Sequence, residues 1–397
     1  MKRFRHLGGQ ELVSISLALL GFSQLVYGLL PIQSYSSSEF GRLAIYQSLI
    51  IGFGIVISSP TYSLMLAEKF SDDSTRGTEI GIKNWLGTFY LLLSLLAFFV
   101  MILGDKSRII YSIVLIVLLF YSNFESASLR AKMSHEENWT SISIMFASEA
   151  ALRLFLAIFH LIIGTPSVEI LILESVIIQS LVVAISMFKH GSDSWKLVSV
   201  GNLKHLKRYL LIVLATISAV TINSFSPALS HKLGMLTSDQ VTVSIYLLMI
   251  SRIPVTLVFP LLQPALQKAG LQPISLSDLL RYFPRIAFIV LTFQLVAFKG
   301  LEILSNYNSD FGIVLEGKYI VLCFLISSLF VFEASISFYV TTFGQIEDLA
   351  KSYLFGIGTL TLAMLTLTNT LGLFAGIILA ELVFVFSSIF LKIRANS

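Results

Sequence analysis

Two arginines sit near the middle of long apolar runs, Arg153 and Arg252. An arginine at the centre of a bilayer costs roughly 2.5–3.5 kcal/mol even on the lenient insertion scale, so it faces protein or a wet cavity. Its planar donors bind two oxygens at once and it stays charged at any working pH, which suits phosphate. Glu149 precedes Arg153 by four residues, the spacing at which side chains meet on one helix face. Arg153 therefore has two compatible readings, a local ion pair and a lumen-lining group. Arg252 has no acidic residue within one turn on its own helix, and its counter-charge must come from another helix or a ligand.

On a helical wheel of about 100° per residue, Glu149, Arg153 and His160 fall within about 40° of one another. Thr242, Tyr246, Arg252 and Thr256 fall within about 120° on theirs. One polar face in each half of the chain points to a shared water-filled lumen. The candidate substrate-binding residues are Arg252, Arg153, Tyr246, Tyr46 and Thr256, the two tyrosines being packing residues first. Carboxyls within apolar runs are Glu125, Glu149, Glu174, Glu333 and Glu381. Such groups can carry a proton through a conformational cycle, or can simply be neutral or bonded between helices. Glu149, Glu125 and Glu333 are the candidates for ion coupling. There is no Cys or His cluster with metal spacing, no G-x-S-x-G, no Walker loop and no H-E-x-x-H, so no catalytic residue, metal or cofactor is expected. A membrane-embedded glycosyl-transfer enzyme could still rest on one acid in an outer loop, and residues 33–43 offer only Glu39.

The elements that must position these groups are membrane helices. A mean hydropathy of +0.85, with 55% hydrophobic and 13% charged residues among 397, marks an all-α polytopic membrane protein. With about 20 residues per crossing, the chain divides into about twelve spans. They are 12–32, 44–66, 84–103, 109–128, 141–163 and 168–188, then 209–229, 241–263, 286–304, 319–341, 352–369 and 372–391. The first follows a basic start but lacks an A-x-A-like site, and reads as an uncleaved span. Nineteen of the 27 Lys and Arg residues fall in the segments that alternate on one side and six on the other. That bias places both termini in the cytoplasm. The net charge of +4 comes mainly from those inner segments, so no nucleic-acid partner is implied. The lone cysteine, Cys323, excludes a disulfide framework within the chain.

The richest basic segment, 189–208, joins the sixth and seventh spans and divides the chain into an N-terminal six-helix lobe, 1–195, and a C-terminal six-helix lobe, 196–397. Six spans are an even number, so the lobes are parallel repeats. A gapless shift of 200 residues supports this: Ser38, Ile45, Tyr46, Ile50 and Pro60 recur as Ser238, Ile245, Tyr246, Ile250 and Pro260, and Glu39 as Asp239. A short segment flanked by Pro264 and Pro273 is expected at the inner interface.

Twelve spans in about 400 residues, a first outer loop reading SSSEFGRLAIYQSL and a basic linker between halves resemble the polysaccharide (O-antigen type) flippases of the multidrug/oligosaccharidyl-lipid/polysaccharide exporter superfamily. Its local signature is the acidic-aromatic-glycine turn at Glu39, Phe40 and Gly41. The resemblance implies two six-helix lobes around a cavity that opens alternately to either face of a bacterial inner membrane. The implied cargo is an oligosaccharide on undecaprenyl pyrophosphate, moved to the outer leaflet for surface polysaccharide such as lipopolysaccharide. A polysaccharide polymerase and a chain-length regulator are the implied protein partners, and the lipid bilayer the medium. The first span lacks the aspartate of many related drug exporters, having only Ser14, Ser16, Ser23 and Gln24 as polar groups. The alternative is a membrane-embedded polysaccharide polymerase or ligase; the longest outer loop, near 305–318, has no arginine.

Overall fold

A computed structural model describes residues 2–29, 35–70, 109–190, 203–237, 239–248, 250–252 and 254, separate positions between 284 and 302, and 317–343, 346–366 and 369–396. Every regular element among them is a helix: α1 (Lys2–Leu29), α2 (Ser37–Phe70), α3 (Ile109–His135), α4 (Trp139–Ile163), α5 (Val168–His190), α6 (Leu203–Val220), α7 (Ser226–Lys232), α8 (239–248), α9 (Gly317–Phe343), α10 (Ile346–Thr366) and α11 (Thr370–Asn396). Eight stretches of the described residues are long and apolar enough to cross a membrane. The expected span 84–103, the segment between Pro264 and Pro273 and the middle of the basic linker lie outside the described residues, as does most of 286–304.

The pattern within α4 is that of a helix solvated by lipid on one face. On α4, Phe155 is 64% exposed and Ile158 58%, whereas Glu149, Arg153 and His160 are buried. Apolar side chains outside and charges inside is the arrangement that hydrocarbon imposes.

Local sequence explains where the helices begin and where one of them widens. Ser36 and Glu39 form a reciprocal cap on α2: the Ser36 amide donates to Glu39 Oε2 at 3.0 Å, and the Glu39 amide donates to Ser36 Oγ at 3.4 Å. Thr237 and Gln240 repeat it before α8, at 3.0 and 3.4 Å. The caps thus equate Glu39 with Gln240, one residue away from the Glu39 and Asp239 pairing of the gapless sequence shift. The acidic residue of the first outer turn is therefore a helix cap. Hydrogen bonds from the Ser36 amide and hydroxyl hold the Glu39 carboxyl below its ordinary 4.5. A depressed folded value means that the cap's contribution is present above 4.5 and is lost as pH falls through the lower folded value. Protection of the Ser36 and Glu39 amides against hydrogen exchange, taken relative to the intrinsic rate at each pH, is accordingly expected to fall only as pH is taken below 4.5, and absence of protection at neutral pH would rule out the cap.

Between α6 and α7, Thr221–Phe225 forms a π turn. Pro227 lies four residues after Asn223; it cannot donate to that carbonyl, and its ring would collide with it in a regular helix. Widening the turn relieves the collision. The hydroxyls of Ser226 and Ser230 donate to the carbonyls of Ile222 and Ser226 at 2.8 and 2.6 Å, and the Ser224 carbonyl accepts the Ser48 hydroxyl of α2 at 2.5 Å.

That last bond lies on the seam between the two halves of the chain. In the first half α1 packs on α4, and α3 on α2 and α5; in the second α10 packs on α11 and α6, and α9 on α11. Across the seam α2 meets α6, the π turn and α9, and Ala44 of α2 belongs to the second half's buried apolar core. Gly52 makes the approach possible, since a Cβ there would stand 2.3 Å from the Phe225 ring and 2.9 Å from Val220 Cγ1.

Candidate functional site

Helices α1 to α5 line a partly open cavity of about 320 Å³. Its walls carry Gln24, Gln47, Asn123, Ser126, Arg130, Glu149, Arg153, Ser175 and Gln179 among apolar residues, an unusual density of polar groups for a membrane-embedded space. Arg153 is tied down in it. Nε and Nη2 donate to Glu149 Oε1 at 3.2 and 2.8 Å, Nη2 donates to the Ser175 carbonyl at 3.2 Å, and Nη1 donates to the Ser175 hydroxyl. The pair is almost dry, with 5% of the arginine side chain and 9% of the glutamate exposed. Of the two readings of Arg153, the ion pair is present and the arginine also lines a cavity. Gln47 Oε1, by contrast, is buried without a hydrogen-bond partner among the described residues.

Toward one end of the same cavity, where Tyr27 is on the wall, Glu174 Oε2 receives the Tyr27 hydroxyl at 2.7 Å and contacts His160 Nε2 at 2.8 Å. Tyr27 also donates to the Leu171 carbonyl at 3.3 Å. His160 is thus a buried linker between α4, α5 and α1. Outside the membrane-spanning part, Tyr35 donates to the Pro166 carbonyl, and burial together with Glu39, Glu169 and Glu174 pushes its hydroxyl up to about 12.

At the other end of the cavity stands Arg130, which the charge count assigned to a cytoplasmic segment. It is five residues from the end of α3, its guanidinium lies 5.6 Å from the centre of the Tyr62 ring and 5.8 Å from that of Phe146, and its Nε donates to the Ser126 carbonyl at 3.3 Å. No sequence signal separated it from an ordinary inner-loop cation, because its place on the cavity wall depends on α3 continuing unbroken to His135.

The second half holds a different cluster. Glu333 of α9 accepts from Asn223 Nδ2 at 2.8 Å and from the Tyr353 hydroxyl at 2.5 Å, and Tyr353 shares a 2.5 Å bond with Ser337. Glu381 of α11 is fully buried, in electrostatic contact with Glu333 and alongside Asn223. Two carboxyls in one dry site call for a proton or a cation between them. Arg252 is the cation within electrostatic reach of Glu333, and its Nη2 is buried without a hydrogen-bond partner among the described residues. The π turn that Pro227 imposes is what presents Asn223 to this pair.

The described structure therefore separates the expected site residues. Arg153 and Glu149 line the first-half cavity; Arg252 lies within electrostatic reach of Glu333 in the second half. Tyr46 packs against the first half's apolar core and Tyr246 is buried in the second's, so both occupy packing positions. Glu125 is buried on α3 but is not on the cavity wall. Thr256 lies outside the described residues.

No family model and no curated protein matches the sequence. Solved structures match throughout. The eukaryotic MATE transporter AtDTX14 superposes with a TM-score of 0.66 at 15% identity, covering 98% of this chain and 96% of its own. An outward-facing multidrug resistance MATE family transporter of the MOP superfamily gives 0.57 at 12%, covering 98% and 95%. A mutant of the Vibrio cholerae MATE transporter VcmN gives 0.59 at 12%, covering 99% and 95%. The chain thus has the all-helical, two-lobed fold of MATE transporters.

Proposed function

We propose that the protein is a transporter that moves undecaprenyl-pyrophosphate-linked oligosaccharide units from the cytoplasmic to the outer leaflet of a bacterial inner membrane by alternating access. The observation that carries this reading is the arginine-bearing polar cavity lined by membrane helices, within a fold shared with transporters. A pyrophosphate headgroup needs a cationic site at membrane depth, while its lipid tail can stay in the bilayer. The surface polysaccharide it serves would then be extended by a separate polymerase and its length regulator. Arg252 and the first-half cavity that Arg153 helps to line are assigned to headgroup recognition, and the Glu333 and Glu381 pair to a coupling proton or cation.

Deleting the gene in its host and following both surface glycan and lipid-linked intermediates tests the reading. Loss of surface glycan with complete single units accumulating on the inner leaflet supports it. Single units on the surface with only long chains missing would make the protein a polymerase. Two substitutions refine the assignment. Arg252→Ala is expected to abolish surface glycan at unchanged membrane abundance, and normal glycan would remove Arg252 from the site. Glu333→Gln keeps one oxygen to accept from Asn223 and turns its amide N–H toward the Tyr353 hydroxyl, which can accept it, but cannot ionise; it is expected to leave abundance and thermal midpoint near wild type while surface glycan is lost, and full glycan in that strain would exclude Glu333 from coupling.

A further inference from the structure

We propose that Arg130, rather than Arg153, is the residue that binds the phosphate group of the cargo, at the inner end of the first-half cavity; this rests on the flippase reading and names the recognition group within it. The donors decide between the two arginines. Four of the five N–H donors of Arg153 are engaged by Glu149 and Ser175, so a phosphate could take two parallel donors from it only by breaking a dry ion pair. Among the described residues, Arg130 spends only Nε, on the Ser126 carbonyl of its own helix. Its terminal nitrogens carry no bond to a described residue, although the residue lines the cavity.

Besides Glu149, which lies within electrostatic reach but is bonded to Arg153, the remaining contacts of Arg130 are aromatic rings that hold the group in place. Tyr62 of α2 and Phe146 of α4 each lie under 6 Å from the guanidinium, within the range of a cation–π contact. Rings fix the plane of the fork and leave its N–H edge free, which is the edge that binds two phosphate oxygens in parallel. Glu149 faces the same space, but its Oε1 already belongs to Arg153. Of the cavity's charges, the Arg153 and Glu149 pair cancels and Arg130 is left as the net positive one.

Depth gives the order of events. Arg130 precedes the end of α3 by five residues, about 7.5 Å at 1.5 Å per residue, on the side to which the basic segments assign the cytoplasm. Arg153 is 14 residues into α4, about 21 Å along it. A headgroup loaded from the inner leaflet meets Arg130 first. Arg153 then acts as a positioning residue, keeping Ser175 and Glu149 on the wall above.

The experiment uses the full chain in lipid nanodiscs and two probes, undecaprenyl pyrophosphate in the disc and inorganic pyrophosphate in solution. The protein is expected to bind the lipid probe, and Arg130→Gln to bind it about tenfold to a hundredfold more weakly, the range for a lost hydrogen bond to a charged group. If inorganic pyrophosphate competes, a free phosphate suffices as ligand; if it does not, the Arg130-dependent site takes the phosphate only as a lipid headgroup. Should Arg130→Gln fail to fold, Arg130→Lys decides: it keeps the charge but loses the two-pronged edge, and several-fold weaker binding is expected. Binding in Arg130→Gln or Arg130→Lys equal to wild type overturns the proposal and leaves the flippase reading standing. A wild-type protein that binds neither probe overturns both.

Discussion

Arg153→Ala is expected to destabilise the protein by about 3–5 kcal/mol, because it strands the Glu149 carboxylate in a dry site without its counter-charge. The exposure of 9% left to the Glu149 side chain gives the orphaned charge little water, and the Ser175 hydroxyl loses its cationic partner as well. The thermal unfolding midpoint of the purified protein checks this. Replacing both partners removes the orphan, and exchanges of a buried pair for apolar side chains of similar volume are often neutral. Glu149→Met combined with Arg153→Met is therefore expected to recover most of the lost stability. A single variant as stable as wild type would mean that the cavity admits enough water to solvate Glu149. The double variant also separates structure from recognition: folded protein with normal surface glycan would leave Arg153 as structure alone.

Gly52→Ala is the second large effect. The new methyl carbon would lie 2.3 Å from Phe225 Cε1 and 2.8 Å from Cζ, and the Phe225 ring is already packed against Phe53 with centroids 5.3 Å apart. Relief by ring movement alone would disturb the π turn, and relief by helix movement would part α2 from α6 and loosen the 2.5 Å bond between Ser48 and Ser224. The cost is about 1–3 kcal/mol by analogy with overpacked cores. The functional cost is greater, since the overlap falls on the seam between halves that alternating access must open and close. Surface glycan is expected to be lost at near-normal protein abundance, and Phe225→Ala in the same chain is expected to restore it. No rescue would place the fault elsewhere than in this contact.

Much of the fold was legible because lipid imposes a coarse code. Span positions and the all-helical class follow from runs of apolar residues, and the buried face of α4 followed from the spacing of Glu149, Arg153 and His160. What the sequence could not show was which residues on other helices those faces meet. Ser175 and Glu174 are ordinary polar residues in an apolar run until α5 is laid against α4. Arg130 was miscast by a rule that counts charge without asking how far a helix extends. Asn223 acquires its role from a π turn, and the cause of that turn, a proline four residues later, is visible in the sequence only once the run is known to be helical. The first outer turn shows a physical role that the sequence reading did not give it: the acid of the motif read as a family signature is held as a helix cap.

The central claim is tested most directly by reconstitution. The purified protein is placed in liposomes containing a fluorescent undecaprenyl-pyrophosphate-linked oligosaccharide confined at first to one leaflet, and arrival on the other is followed with a membrane-impermeant glycosidase. The account predicts transfer of intact single units well above protein-free liposomes, with Arg130→Gln and Arg252→Ala reduced toward that background. Units that stay in their leaflet with wild-type protein under every ion gradient, or that emerge joined into longer chains, would contradict it.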